Sequence, residues 1–174
     1  MTITRLIKPT ARLRKSHESF VADFRRSGEE MIPWVLDRAG RNFGKYVDWL
    51  ELASQGLGLP EGYVPNSTFW LIDANDQIVA VANIRHELTE DLMKLGGHIG
   101  YGVRPSARRK GYATEILRQS LIQVRSMGIG NMRVTCDKDN LGSARAIILN
   151  GGELDEEEYM EDRGCVVQRY WIRL

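Results

Sequence analysis

The sequence predicts one mixed α/β (α+β) domain, built on a sheet that contains at least one parallel crossover. Alternating apolar residues, which indicate strands, occur on both sides of a segment with the spacing of an amphipathic helix. A strand–helix–strand order of this kind implies two parallel strands joined by the helix. The 174 residues suffice for one domain with a sizeable core, and they contain no internal repeat or low-complexity linker.

The N-terminal third is predicted to be mainly helical. Apolar residues recur at helical spacing around Phe20 and Phe24 until Gly28 ends the pattern, and a second such pattern follows. Residues 29–44 receive no assignment, because Pro33 and glycines interrupt them. The predicted elements are a strand at residues 3–8 and helices at residues 11–27 and 45–55.

The remaining two thirds are predicted to hold most of the strands. The turn at residues 74–76 separates two apolar runs and therefore predicts a hairpin. The acidic run at residues 153–162 is predicted to form a hairpin or an edge strand that its charge protects. The predicted strands are residues 67–73, 77–88, 98–103, 131–136 and 166–174, and the predicted helices are residues 111–127 and 141–150.

The composition argues against several classes of function. Lys and Arg (24) nearly balance Asp and Glu (23), so no nucleic-acid or membrane-surface partner is expected. Two cysteines and three scattered histidines suit neither a disulfide framework nor a metal site, and no metal is expected. No apolar run is long enough to span a membrane, and residues 1–15 lack the core of a signal peptide. We therefore expect a cytoplasmic protein.

A basic, glycine-containing turn between a strand and a helix is the most informative segment. The strand ends near Val103, residues 108–110 are all basic, and a helix opens at about Tyr112. The first N–H groups of a helix have no intrahelical partner, and the helix dipole favours an anion there. Gly111 has no Cβ, so the backbone can approach a phosphate closely. The segment therefore predicts a phosphate or pyrophosphate ligand.

The spacing Arg108-x-x-Gly111-x-Ala113 resembles the Q/R-x-x-G-x-G/A signature of the GNAT N-acetyltransferases. Further along, Asn140-x-x-Ser143 resembles the second coenzyme-binding element of that family. The resemblance covers about residues 69–174. It implies a GNAT-like single domain over residues 1–174, with a mostly antiparallel sheet, one splayed parallel pair and helices on both faces. Residues 1–66 would be the more variable part, and residues 67–174 the acetyl-CoA-binding core.

The resemblance also implies an activity and a set of binding residues. Acetyl-CoA would be the co-substrate, and its acetyl group would pass to a primary amine by direct attack in a ternary complex. The acceptor would be a small-molecule or peptide amine, and a homodimer is compatible because many relatives pair. The coenzyme-binding residues implied are Val103, Arg108, Arg109, Lys110, Gly111, Tyr112, Ala113, Thr114, Asn140 and Ser143.

The groups that move protons are less well defined. Many family members carry a Tyr seven residues after the Asn of the second element, but Ile147 occupies that position here. Three tyrosines or water are the candidate replacements as general acid: Tyr101, Tyr159 and Tyr170.

An amine with a pKa of about 10 must lose a proton before it attacks. His98 and Glu87, on or near the strand before the turn, are the predicted catalytic bases. A covalent route is disfavoured because no Cys–His pair is evident. Two alternatives stay open, namely a non-catalytic acyl-CoA sensor or scaffold with the same fold and a module that reads only phosphates.

Overall fold

The structure, a computed structural model, describes residues 3–174 and shows two antiparallel sheets covered by helices. The strands are β1 (Arg5–Ile7), β2 (Asn66–Ile72), β3 (Ile78–Arg85), β4 (Ile99–Val103), β5 (Asn131–Asp137), β6 (Gly152–Met160) and β7 (Cys165–Arg173). The α-helices are α1 (Arg14–Ser27), α2 (Phe43–Ser54), α3 (Glu90–Lys94), α4 (Tyr112–Ser126) and α5 (Leu141–Leu149). Short 3-10 helices occur at Ala11–Leu13, Trp34–Arg38 and Pro105–Ala107.

The first sheet has the order β1-β2-β3-β4 and carries an apolar core on each face. Successive residues of a strand point to opposite faces, so Val81 packs with α1 and α2 whereas Ala82 packs with α4. Trp70 is fully buried among the residues of α1 and α2. The helices of the N-terminal part therefore share a core with the sheet that carries the predicted site.

The second sheet has the order β5-β7-β6, which places the acidic segment on an edge strand, as the sequence predicts. The two sheets are joined where the His98 N–H donates to the Arg133 carbonyl oxygen at 2.8 Å. Beyond this contact β4 and β5, which follow each other through the α4 crossover, form no ladder within residues 3–174. The predicted mixed α/β class and the splayed pair are thus confirmed, and the splay divides the predicted sheet into two.

The elements match the sequence prediction except where short helices interrupt loops. The unassigned segment contains the 3-10 helix Trp34–Arg38, which is held by the buried side chains of Val35 and Leu36. The short helix α3 was not predicted, because it buries no side chain and so has no apolar period. Among the helices of residues 3–174, none is both long and apolar enough to cross a membrane.

Candidate active site

The turn between β4 and α4 is open to solvent at its glycine. Arg109 and Gly111 both adopt the left-handed region, with φ of 64° and 83°. Gly111 is the N-cap of α4, no side chain caps the helix, and a Cβ at this position would meet nothing within 4 Å. A ligand can therefore approach the start of α4 without displacing protein atoms.

Six main-chain N–H groups of this turn have no partner among the described residues. From Arg109 to Thr114, no N–H group donates a hydrogen bond to any residue that the structure describes. The first bond of the helix is made by the N–H of Glu115 to the oxygen of Gly111, at 3.0 Å. Six consecutive free donors at the positive end of a helix dipole form a strong anion site. This is the arrangement that the sequence predicts for a pyrophosphate.

The three basic side chains of the turn do not act alike. The guanidinium of Arg108 makes a two-point ion pair with Glu29 at 2.7 and 2.8 Å, and these hydrogen bonds lower the pKa of Glu29. Arg109 and Lys110 are exposed, and Arg108 makes the only ion pair of the cluster within residues 3–174. Arg108 therefore holds the turn in place. The side chains of Arg109 and Lys110 have no carboxylate partner among the described residues and can interact with a ligand.

A buried carboxylate on α1, which sequence reasoning missed, also holds the turn in place. Asp23 accepts hydrogen bonds from the N–H and the hydroxyl of Ser106, at 2.9 and 2.7 Å. Arg26 and Arg104 donate to the same carboxylate, and together these bonds hold the pKa of Asp23 far below its ordinary value. The available signal was an acidic residue on the apolar face of a predicted helix, between Phe20 and Phe24.

The gap between β4 and β5 contains a hydroxyl pair. The phenol of Tyr101, on β4, lies 2.9 Å from the hydroxyl of Ser143, on α5. Burial raises the pKa of Tyr101 to about 12, so the phenol stays protonated and can donate. Asn140 is exposed and caps α5, since its side-chain oxygen accepts the Ser143 N–H at 3.1 Å. The structure thus brings Ser143 and Asn140 to the same end of α5, next to Tyr101.

The other residues that could replace the missing tyrosine are less suitably placed. Ile147 is fully buried in the core, and Tyr159 is exposed on the edge strand β6. Tyr170 donates its hydroxyl to Gln168 at 2.7 Å. The thiol of Cys136 is buried on β5, which raises its pKa to about 11 and leaves it a poor nucleophile.

The two predicted bases lie away from the turn, with His98 directly before β4 and Glu87 shortly after β3. The Nδ1 atom of His98 accepts the Arg133 N–H at 2.9 Å, so the neutral ring carries its proton on Nε2. Burial lowers the pKa of His98 to about 4. These contacts favour a structural role for His98 in joining the two sheets. Glu87 is exposed, follows β3 by two residues, and makes no hydrogen bond or ion pair with residues 3–174.

The acidic edge strand β6 neutralises arginines of its own sheet. Arg133 and Arg169 are buried, and both form ion pairs with Glu156, at 2.7 and 3.2 Å. Asp155 pairs with Arg133, and Glu158 pairs with Arg169. Three carboxylates of β6, namely Asp155, Glu156 and Glu158, therefore compensate buried positive charge.

The sequence matches the acetyltransferase (GNAT) domain family over residues 11–153. No curated protein sequence matches the chain. A solved ribosomal L7/L12 α-N-protein acetyltransferase in complex with coenzyme A has a TM-score of 0.70 at 16% identity, covering 100% of this chain and 96% of its own.

Two further solved structures have the same fold. A ribosomal-protein-S5-alanine acetyltransferase from Vibrio fischeri has a TM-score of 0.67 at 11% identity, covering 98% of this chain and 92% of its own. A microcin C7 self-immunity acetyltransferase in complex with acetyl-CoA and AMP has a TM-score of 0.64 at 13% identity, with coverages of 98% and 92%. The family match, which spans most of the chain and includes the open turn, places this protein among the GNAT N-acetyltransferases.

Proposed function

We propose that this enzyme transfers the acetyl group of acetyl-CoA to a primary amine of a small molecule or peptide, by direct attack in a ternary complex. The observation that carries the proposal is the run of six unpartnered N–H groups from Arg109 to Thr114, beside the gap between β4 and β5. Solved relatives hold coenzyme A or acetyl-CoA, and two of them act on ribosomal proteins. The use of acetyl-CoA also supports the proposed cytoplasmic location.

The free main-chain groups suggest how the co-substrate is held. The N–H groups of residues 109–114 would bind the pyrophosphate, with Arg109 and Lys110 supplying charge. Strand β4 pairs with β3 along one edge only, so its other edge is free beside Val103 for the amide groups of the pantetheine arm. Asn140 and Ser143 lie across the gap from this edge.

Tyr101 assists the departure of the coenzyme A thiolate in this proposal. Its phenol is buried in the gap, its pKa is raised to about 12, and it already shares a hydrogen bond with Ser143. Because this pKa lies above the value of about 8.5 for a simple thiol, the phenol keeps its proton and stabilises the departing coenzyme A thiolate by donating a hydrogen bond, and water supplies the proton that the thiolate finally takes up. The main-chain N–H groups on the free edge of β4 would stabilise the oxyanion that forms on the thioester carbonyl.

Glu87, rather than His98, takes the proton of the attacking amine in this proposal. The lone pair of His98 Nδ1 is occupied by the Arg133 N–H, and its Nε2 carries the remaining proton. The exposed Glu87 carboxylate can accept a proton through water. Replacing Glu87 by Gln is expected to lower kcat without changing the affinity for coenzyme A.

The decisive experiment is an acceptor screen that follows thiol release from acetyl-CoA. With an accepted amine, Tyr101→Phe is expected to lower kcat about tenfold to a hundredfold, with KM for acetyl-CoA unchanged. Tyr46→Phe is the matched control, because it also removes a buried hydroxyl, one that lacks a partner in the other core. Tight coenzyme binding without turnover of any amine would favour a non-catalytic binder, and equal affinity for adenosine bisphosphate would favour a module that reads only phosphates.

A further inference from the structure

Arg85, the last residue of β3, is a part-buried cation without a carboxylate. Its Nη1 atom donates to the carbonyl oxygens of Gly96 and Gly97, at 3.0 Å each. No carboxylate of residues 3–174 lies within ion-pair distance of it. Burial lowers the pKa of Arg85 below its usual range. The two carbonyl groups fix the orientation of the guanidinium but leave its charge uncompensated.

Every other arginine that is buried or nearly so has an acidic partner. Arg104 pairs with Asp23, and the buried Arg133 and Arg169 pair with carboxylates of β6. Removing a charged group from water is costly unless an opposite charge and hydrogen bonds compensate for the loss. Three arginines thus have a carboxylate partner within the fold, and Arg85 has none among residues 3–174. Arg85 can therefore bind an anion that is not part of this chain.

The guanidinium of Arg85 lies against β4 beside Gly100. Its Nη2 atom lies 3.8 Å from the point where a Cβ on Gly100 would stand, and Pro33 lies at 3.7 Å from the same point. Gly100 pairs with Asn83 in the ladder and precedes Tyr101, so the two residues present opposite faces of the strand. Arg85 thus lies against the face of β4 opposite to the hydroxyl pair in the gap.

An aromatic wall borders this position. The ring of Tyr63 is half exposed and packs on Trp34 with the ring centroids 4.5 Å apart. The Tyr63 phenol raises the pKa of Arg85 and so opposes the effect of burial. A guanidinium beside a partly exposed aromatic ring can hold a carboxylate while the ring packs against the apolar part of the same molecule.

We infer that Arg85 binds a carboxylate of the acetyl acceptor, so that the acceptor is an amine with a carboxylate only a few bonds away. This inference rests on the proposed function, since it assumes that the acceptor approaches β4 from the face of Arg85. The guanidinium can make two parallel hydrogen bonds to a carboxylate and so fix the position of the nearby amine. An α-carboxylate of an amino acid and the acidic side chain at a peptide N-terminus share this chemistry.

The test uses the complex with coenzyme A and product-like probes, observed through the Arg85 Nε–H signal in the NMR spectrum. N-acetylalanine carries an α-carboxylate, N-acetylglutamate α-amide carries only a side-chain carboxylate, and N-acetylalaninamide carries neither. We expect one of the two acids to shift the Arg85 signal and the neutral amide to leave it unchanged. The acid that binds identifies the source of the carboxylate.

Variants at Arg85 supply the second measurement. Arg85→Met is expected to weaken binding of the acid about tenfold or more, and Arg85→Lys to weaken it less, with coenzyme A affinity retained in both. Three results would overturn the inference. The acid and the amide bind equally well, the acid binds Arg85→Met as tightly as the wild-type protein, or neither acid binds. Coenzyme A affinity is measured first by calorimetry. If coenzyme A does not bind, the proposed function is refuted. A shift of the Arg85 Nε–H signal on addition of the acid would still show that Arg85 binds a carboxylate.

Discussion

Gly111 is the residue on which coenzyme binding depends most directly. Its φ of 83° and the open space around it let the backbone contact a phosphate, and any side chain there would project toward the ligand. Gly111→Asp adds both bulk and negative charge at this point. We expect coenzyme A affinity to fall about a hundredfold or more, as measured by calorimetry.

Gly128 provides a matched control at the other end of α4. It has a φ of 79°, and a Cβ there would also meet nothing within 4 Å. Gly128→Asp therefore has a similar backbone cost but lies away from the turn. If both variants bound coenzyme A equally well, the assigned site would be wrong.

His17 makes the stability of the protein sensitive to mild acid. Its ring is buried against Phe43, Tyr46 and Trp70, and burial lowers its pKa from 6.5 to about 4. The unfolded chain therefore binds a proton between these pH values and the folded chain does not, so stability is full above about pH 6.5 and is lost as the pH falls toward 4.

Replacing His17 by Leu removes this titration. Between pH 7 and pH 5 the free energy of unfolding of the wild-type protein should fall by about 2 kcal/mol more than that of His17→Leu. Urea unfolding at both pH values measures the difference. His98, which has a similarly lowered pKa, remains in both proteins and cancels in the comparison. An identical pH dependence in the two proteins would contradict the assignment.

Arg108 shows why single residues of a recognised motif cannot be assigned from sequence alone. The signature places this arginine among the coenzyme-binding residues, and its position at the turn is as expected. Its side chain, however, is engaged by Glu29, 79 residues earlier, in a segment without apolar periodicity. A pairing over that separation depends on the tertiary structure and leaves no local pattern in the sequence.

At the scale of an element, the carboxylates of strand β6 stabilise buried arginines of the same sheet. Glu156 contacts both Arg133 and Arg169, which are almost entirely buried. Glu156→Gln removes a charge shared by two buried cations, and we expect the free energy of unfolding to fall by about 1–2 kcal/mol in urea. The partial exposure of Glu156 keeps the effect below that of a fully buried pair.

Glu153 on the same strand supplies the control. It pairs with Arg173 at 3.8 Å, and both side chains are largely exposed. Glu153→Gln should change stability by less than about 0.5 kcal/mol. Equal losses in the two variants would mean that the strand responds to its total charge rather than to the buried arginines.

The elements that the sequence predicts best are those with a strong apolar period. The helix at residues 111–127 and the strand at residues 131–136 are observed within one residue of the predicted ends, because one face of each is buried. Helix α3 and the 3-10 helix Pro105–Ala107 bury too little surface to leave such a pattern. The turn at the site was found from its glycine and basic residues, whereas the contacts that hold it were not.

At the scale of the molecule, hydrogen bonds and an ion pair connect the N-terminal part to the coenzyme-binding core. Asp23 and Glu29, from the part predicted to be variable, bind Ser106, which lies within the 3-10 helix Pro105–Ala107, and Arg108, which directly follows it. The turn that presents the free N–H groups is thus held by α1 and the segment after it. Changes in the N-terminal part should therefore alter coenzyme affinity without touching the coenzyme.

Asp23→Asn tests this connection. The amide would replace one of the two accepting oxygens by an NH2 group, and the part-buried Arg104 would lose its carboxylate partner. We expect coenzyme A affinity to fall about tenfold, together with about 2 kcal/mol of stability, when calorimetry is done under conditions where the variant is fully folded. Glu18→Gln on the same helix, which removes only the exposed pair with Arg14, should change neither. A loss of stability with unchanged affinity would show that the turn keeps its shape without α1, and the connection would then be structural only.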